Sequence, residues 1–280
     1  MTNNQPDFSQ WIGRQVVHED FISATQANLM NATINRDPAF QPGDPLPPAW
    51  HWLFFHDAVP LNGLGVEGHP KLGGFMPPVS LPRRMWAGGS LQFERPITIG
   101  ETATKRSHVT QVEHKVGRSG ELYFVTVEHE LFQGGSKCLH EKQTIVYREP
   151  TDPTDTHRDP PPAPEKSEFS AEIQPSPTML FRYSALTFNG HRIHYDADFC
   201  REHEGYPNLV FHGPLTATLL LDLFYRKFQE EQIKVFEYRG VSPLFNPDPF
   251  TIHGTRKGKF GKAWATNPFG GLAMQAQITY

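Results

Sequence analysis

The chain has 280 residues and a net charge of −4, with 26 basic against 30 acidic side chains. It carries no long basic block and no apolar run long enough to span a bilayer, which excludes the footprint of a nucleic-acid binder and speaks against a membrane-spanning helix. Twenty-six prolines and 23 glycines argue against an all-helical bundle, because proline breaks the helical hydrogen-bond ladder. Aromatic residues at 12% supply the core that a disordered chain lacks. Two cysteines, Cys138 and Cys200, cannot supply a disulfide framework or a zinc finger. The polar start through Asp7 has neither the basic lead nor the apolar stretch of a secretory signal. The expectation is a soluble, cytoplasmic, β-rich protein.

In chain order, the first helix candidate covers 25–33 and a second, short one covers 50–55. Strands follow at 90–93 and 101–112, divided by a turn at 96–100. The stretches 122–132 and 138–147 alternate apolar and polar residues on either side of Gly134-Gly135, the pattern of a hairpin. Six prolines then fall between Pro150 and Pro164 with no large apolar residue among them, which reads as an extended linker and a domain boundary. This divides the chain into a first domain over 1–149, a linker over 150–164 and a second domain over 165–280.

In the second half, 183–187 reads as a short strand. The run 215–225 is apolar almost all round and follows Gly213-Pro214. Proline in a first helical turn is a start signal, and a helix apolar on every side belongs in a core. Strands are expected at 235–240, 250–255 and 272–279. One buried helix wrapped by antiparallel strands is an α+β arrangement, and its recurrence suggests a duplicated fold.

Reactive side chains are densest in Asn189-Gly190-His191-Arg192-Ile193-His194, with Tyr195-Asp196 behind them. Asn-Gly supplies a turn, so these groups belong on a loop or a short helix. With 14 histidines in the chain, the bland alternative is an ordinary polar loop. Downstream, Tyr206-Pro207 and His212-Gly213-Pro214 lead into the apolar helix. Gly213 stands where backbone N–H groups at a helix start are unpaired, and such a terminus stabilises a developing oxyanion. A histidine loop beside a glycine-opened helix can polarise a carbonyl and move a proton.

The run from Asn189 to His194, with Asp196, Tyr206-Pro207 and His212-Gly213-Pro214 after it, resembles the hydratase motif of the MaoC-like (R)-specific enoyl-thioester hydratases. Arg84 through Gly89 resembles the first half of the type 2 hydroxyacyl-thioester dehydratases. The layout as a whole is similar to the mesaconyl-C4-CoA and itaconyl-CoA hydratases within that group. The resemblance implies an α+β double hot-dog, two antiparallel sheets each wrapping a central helix. It implies a hydro-lyase acting on a CoA thioester, with no cofactor and no metal, as a monomer or a homodimer. In that motif an acid/base residue and a histidine five positions later flank the water.

Here the acid position holds Asn189, which cannot exchange a proton as a carboxylate does. His194 is then expected to do the acid–base work near its ordinary pKa, with Asn189 holding the water or the thioester and Gly213 N–H the thioester oxygen. His191 is the alternative base, and Asp196 or His191 could support His194. A dicarboxylic substrate needs a cation; the candidates are Arg83, Arg84, Arg192 and Arg239.

Three rival readings remain. His191 and His194, with His203 and His212 nearby, have the count for zinc, yet no HExxH pattern follows. An acyl-CoA thioesterase is a second reading, though no Gly-x-Ser-x-Gly elbow is present. A non-catalytic acyl-thioester binder is the third, and the first half has nothing like the Asn189–His194 run. There His51, His56 and Asp57 would only rim a tunnel. Gly63, Gly65 and Gly68 match the bare spacing of a dinucleotide fingerprint without its strand–helix setting, so that segment reads as a loop. Trp86 and the glycines after it read as a packing device or bulge.

Overall fold

The computed structural model describes residues 6–117, 120–149, 160–164 and 166–280. Ten antiparallel strands form one continuous sheet: β1 (Gln15–Phe21), β2 (Arg83–Phe93), β3 (Thr102–Gly117), β4 (Gly120–Gln133), β5 (Ser136–Arg148), β6 (Phe169–Ile173), β7 (Val235–Gly240), β8 (Phe250–Lys257), β9 (Phe260–Thr266) and β10 (Leu272–Thr279). Their order is β1-β3-β4-β5-β2-β7-β10-β9-β8-β6. That order reads the same from both ends: an edge strand, a three-stranded meander, then the strand at the seam. The seam is the β2–β7 pair, in register from Gly88 opposite Arg239 to Gln92 opposite Val235. The architecture is the α+β double hot-dog, with its two sheets fused edge to edge.

Among the described residues, four helices accompany the sheet: α1 (Ala24–Thr33), α2 (Pro177–Leu186), α3 (Ala197–Phe199), which runs on into a π-helical turn at Cys200–Glu204, and α4 (Gly213–Lys227). Pro214 in its first turn starts α4, and Leu215, Ala217, Leu220, Leu221 and Phe224 are fully buried along it. Each such large side chain contributes about 1.5–3 kcal/mol by leaving water. The helix lies on β7, β8, β9 and β10, so burial fixes where its first turn sits.

The segment 183–187, expected as a strand, instead ends helix α2. Ser176 caps the start of that helix, its hydroxyl accepting the Met179 N–H at 3.1 Å, and Pro177 follows at the first helical position. Both are start signals, and they outweigh the β-prone Tyr183 and Thr187 downstream.

The two halves fill their sheets unequally. In the second half, α4 occupies the stretch between α2 and β7. The matching stretch of the first half, between α1 and β2, carries ten prolines from Pro38 to Pro82. It forms no long helix; the 3-10 turns Trp50–Leu53 and Leu61–Gly63 are its helical content. Prolines at that density remove the donors a helix needs.

The halves share one core cluster, in which Trp50, Leu91 and Ile99 meet Leu180, Phe224 and Phe236. Arg36, just past α1, grips Asp222 of α4 through both terminal nitrogens of its guanidinium, Nη1 at 2.8 Å. Of the proline-rich linker, 150–159 lie outside the described residues, while Pro162 bridges to Gly271 beside β10. No described helix is long and apolar enough to cross a membrane.

Candidate active site

Between α2 and α4 the chain is held by local bonds. Asn189 N–H donates to Ser184 O at 2.8 Å, and Phe188 before it sits at φ 49°, a left-handed conformation costly for a large side chain. The His191 N–H donates to Asn189 Oδ1 at 3.1 Å. That bond fixes the orientation of the amide, because a backbone N–H can only donate. The Asn189 Nδ2 group is left unpaired, a donor without a partner among the described residues. Arg192–His194 forms a 3-10 turn.

Asn189, His194 and Gly213 line one cavity of about 320 Å³. His194 is buried, and its Nδ1 lies 2.8 Å from Val210 O. A carbonyl only accepts, so Nδ1 carries the proton and Nε2 presents a lone pair. The ring stacks on His212 with centroids 3.6 Å apart at 18°. His212 Nε2 is in turn 2.9 Å from Ser184 Oγ of α2. His191 meets His194 edge-on at 5.6 Å and His69 at 4.4 Å.

Burial keeps all four rings neutral. It lowers His194 to about 4 against the opposing pull of the Val210 carbonyl. It lowers His191 to about 3, helped by the neighbouring His194 and Arg84, beside which a second cation is disfavoured. His69 and His212 fall well below the usual imidazole range for the same first reason. The ordinary pKa expected for His194 therefore does not hold: desolvation disfavours the imidazolium. At neutral pH the ring stands ready as a base.

The rest of the expected residues divide. Arg84 lines this cavity, near His69 and His191. Arg83, its neighbour on β2, points elsewhere: it is buried against Glu204, 3.4 Å from that carboxylate, and lies over the Tyr206 ring. Arg192 pairs with Asp196 at 2.7 Å and lies over Phe199. Arg239 is exposed on β7. Asp196 caps α3 through the Phe199 N–H. The zinc reading finds no geometry, since His194 and His212 present ring faces to each other and His203 is exposed, stacked on Phe199.

Residues 49–246 match the family described as hydroxyacyl-thioester dehydratase type 2. The chain is 40% identical over 273 residues to the mesaconyl-C(4)-CoA hydratase of Chloroflexus aurantiacus, covering 97% of each. This chain belongs to the type 2 hydroxyacyl-thioester dehydratase family. A mitochondrial type 2 dehydratase of Schizosaccharomyces pombe is 30% identical, over 85% of this chain and 89% of that one. Among solved structures, HtdX of Mycobacterium tuberculosis superposes with a TM-score of 0.67 at 16% identity, over 95% of this chain and 99% of that chain. A second M. tuberculosis protein, described as a double hotdog, does so at 0.59 and 10% identity, covering 95% of each. This family member is an enzyme, a thioester hydratase/dehydratase of the hydro-lyase class.

Two features of the candidate site escaped the sequence. The loop with Gly63, Gly65 and Gly68 packs on the loop that carries Asn189 and His194. Glu67 O accepts the Arg192 N–H at 2.9 Å, and a Cβ at Gly68 (φ +93°) would lie 1.9 Å from Gly190 O. Gly68 serves a close backbone approach, and the segment is a loop as expected. A second cavity, also about 320 Å³, adjoins the first across Trp86, Gln143, Asn189 and Pro214. His51, His56 and Asp57 line it, as do Lys105, His129 and Glu141. Trp86, stacked on Tyr238 at 4.5 Å and followed by a bulge before Gly88, is part of the wall between them.

Proposed function

We propose that the chain hydrates a short, dicarboxylic enoyl-CoA, of the itaconyl or mesaconyl-C4 type, to the corresponding citramalyl thioester. The observation that carries this reading is the convergence of His194, Asn189 and Gly213 on one cavity wall, with the first offering a lone pair and the second a free donor. The 40% identity to a mesaconyl-C(4)-CoA hydratase supports the substrate class.

In the proposed mechanism, Gly213 N–H at the start of α4 holds the thioester oxygen. Asn189 Nδ2–H holds the water through one oxygen lone pair. His194 Nε2 takes a proton from that water as its oxygen bonds to the β-carbon. The double-bond electrons move through the α-carbon onto the thioester oxygen, giving an enolate stabilised by the helix start. The enolate collapses, taking the proton back from Nε2–H at the α-carbon. Water has been added across the double bond, and the reverse sequence dehydrates a 3-hydroxyacyl thioester.

A coupled assay across crotonyl-, mesaconyl-C4- and itaconyl-CoA tests class and substrate together. Loss of enoyl-thioester absorbance without release of free thiol is expected, fastest on a dicarboxylic substrate. Release of free CoA, followed with a thiol reagent, would instead identify a thioesterase.

A further inference from the structure

The second cavity lies where the first half lacks the counterpart of α4. Its lining is unlike that of the first cavity, whose walls include Met85, Ile145, Leu244 and Met274. Here an ionised carboxylate is already fully engaged. Glu141 takes hydrogen bonds from Trp52 Nε1 at 2.8 Å and Gln143 Nε2 at 2.6 Å, and lies 2.9 Å from His51 Nε2. Burial by itself would push that carboxyl up, but its pairing with His51 and the donors around it bring it down to about 2. Burial likewise brings His129 to about 4, so this ring adds no positive charge. Asp57 is occupied by His18 at 2.7 Å.

Among the described residues lining this cavity, Lys105 on β3 is the cation left over. Its ammonium lies 3.4 Å from Phe55 O and 5.3 Å from the Phe55 ring centroid. No described carboxylate lies within ion-pairing distance of it. A half-buried ammonium whose one hydrogen bond to the protein is long, and which no carboxylate neutralises, is placed to pair with an arriving anion. Burial lowers its pKa, opposed by Glu141, Asp57 and Asp20, in that order; an entering anion would act in the same direction as those carboxylates and favour the charged form.

Resting on the dicarboxylic reading above, we propose that Lys105 pairs with the free carboxylate of the acyl group, and that the cavity beyond Asn189 and Gln143 is the acyl-carboxylate pocket that sets substrate choice. The β-carbon then sits at the wall common to both cavities, beside Asn189, with the thioester toward Gly213 and the rest of the CoA on the apolar side. Arg84 lies on that apolar side and is the competing partner for the carboxylate.

Steady-state kinetics of Lys105→Met and Arg84→Met on mesaconyl-C4-CoA and crotonyl-CoA decide between them. For Lys105→Met, the ratio of kcat/KM for the dicarboxylic over the monocarboxylic thioester is expected to fall about a hundredfold. Lys105→Arg should recover part of the ratio, because it restores the charge. The Tm of ligand-free Lys105→Met should hold or rise, since a half-buried charge with no ion-pair partner is removed; a merely structural lysine would lower it. An unchanged ratio in Lys105→Met, an equal loss on both thioesters, or a selective loss in Arg84→Met instead, overturns the assignment. If Lys105→Met does not fold, Lys105→Arg and Arg84→Met still decide it: a ratio kept in the first and lost in the second refutes Lys105. Failure of the wild-type protein to hydrate either dicarboxylic thioester while it turns over crotonyl-CoA would refute the substrate reading itself.

Discussion

At the scale of single residues, the site depends on two hydrogen bonds to groups that can act in one direction only. Val210 O must accept, which leaves the His194 lone pair on Nε2; the His191 N–H must donate, which leaves the Asn189 amide as a donor. The sequence shows that an amide stands where the wider family has a carboxylate, but not which of its atoms faces the substrate. With His194 at about 4, kcat/KM is expected to stay flat from pH 8 to pH 5 and to fall only as the ring protonates below that. An acid limb near the ordinary imidazole value would contradict the buried, neutral base. Asn189→Asp places a carboxylate beside the ring, which favours the imidazolium. The acid limb of that variant should therefore move upward in pH, measurable in the same profile.

At the scale of elements, the start of α4 and the bulge after Trp86 were legible because proline, glycine and apolar runs mark them directly. Gly213, His194 and Asn189 could be named because they share one short stretch of chain. Lys105, His69 and Gln143 were not legible: each comes from a distant strand or loop, and nothing in its neighbours announces a cavity. β1, β6 and β9 escaped for a related reason. The first two are edge strands, partly exposed on both faces, so period-two burial leaves a weak trace in the sequence. β9 carries Gly261 packed against Phe224 and reads as interrupted. The loop contact at Gly68 gives a prediction at this scale. Gly68→Ala adds a Cβ both at a left-handed φ and against the Gly190 carbonyl. It should cost on the order of 1–3 kcal/mol and reduce hydration, because the loop it displaces carries Asn189. Thermal melts and initial rates check both parts.

At the scale of the whole molecule, the proline excess first seen as a single count divides by place. Ten prolines deny the first half its long helix, and the space beside them holds the second cavity. The sheet runs unbroken through the β2–β7 seam, the core is shared, and Arg36 ties α1 to α4. Unfolding should accordingly show one transition for both halves, coincident by circular dichroism and tryptophan fluorescence. Its dependence on pH follows from the buried histidines. His191 and His194 have folded pKa values of about 3 and about 4, below the unfolded value of ~6.5. Their contribution is complete above ~6.5 and is lost as the pH falls toward the folded values, by about 1.4 kcal/mol per pH unit for each ring. Chemical denaturation between pH 7 and pH 4 should show that slope, and His191→Asn should make it shallower.

If His194 is the base of an enoyl-thioester hydratase, its removal must show in the initial rate of His194→Ala on mesaconyl-C4-CoA. With the fold verified by circular dichroism, the rate is expected to drop about 10²–10⁴-fold, the range for a lost general base. Turnover like that of the unaltered protein would remove His194 from that role.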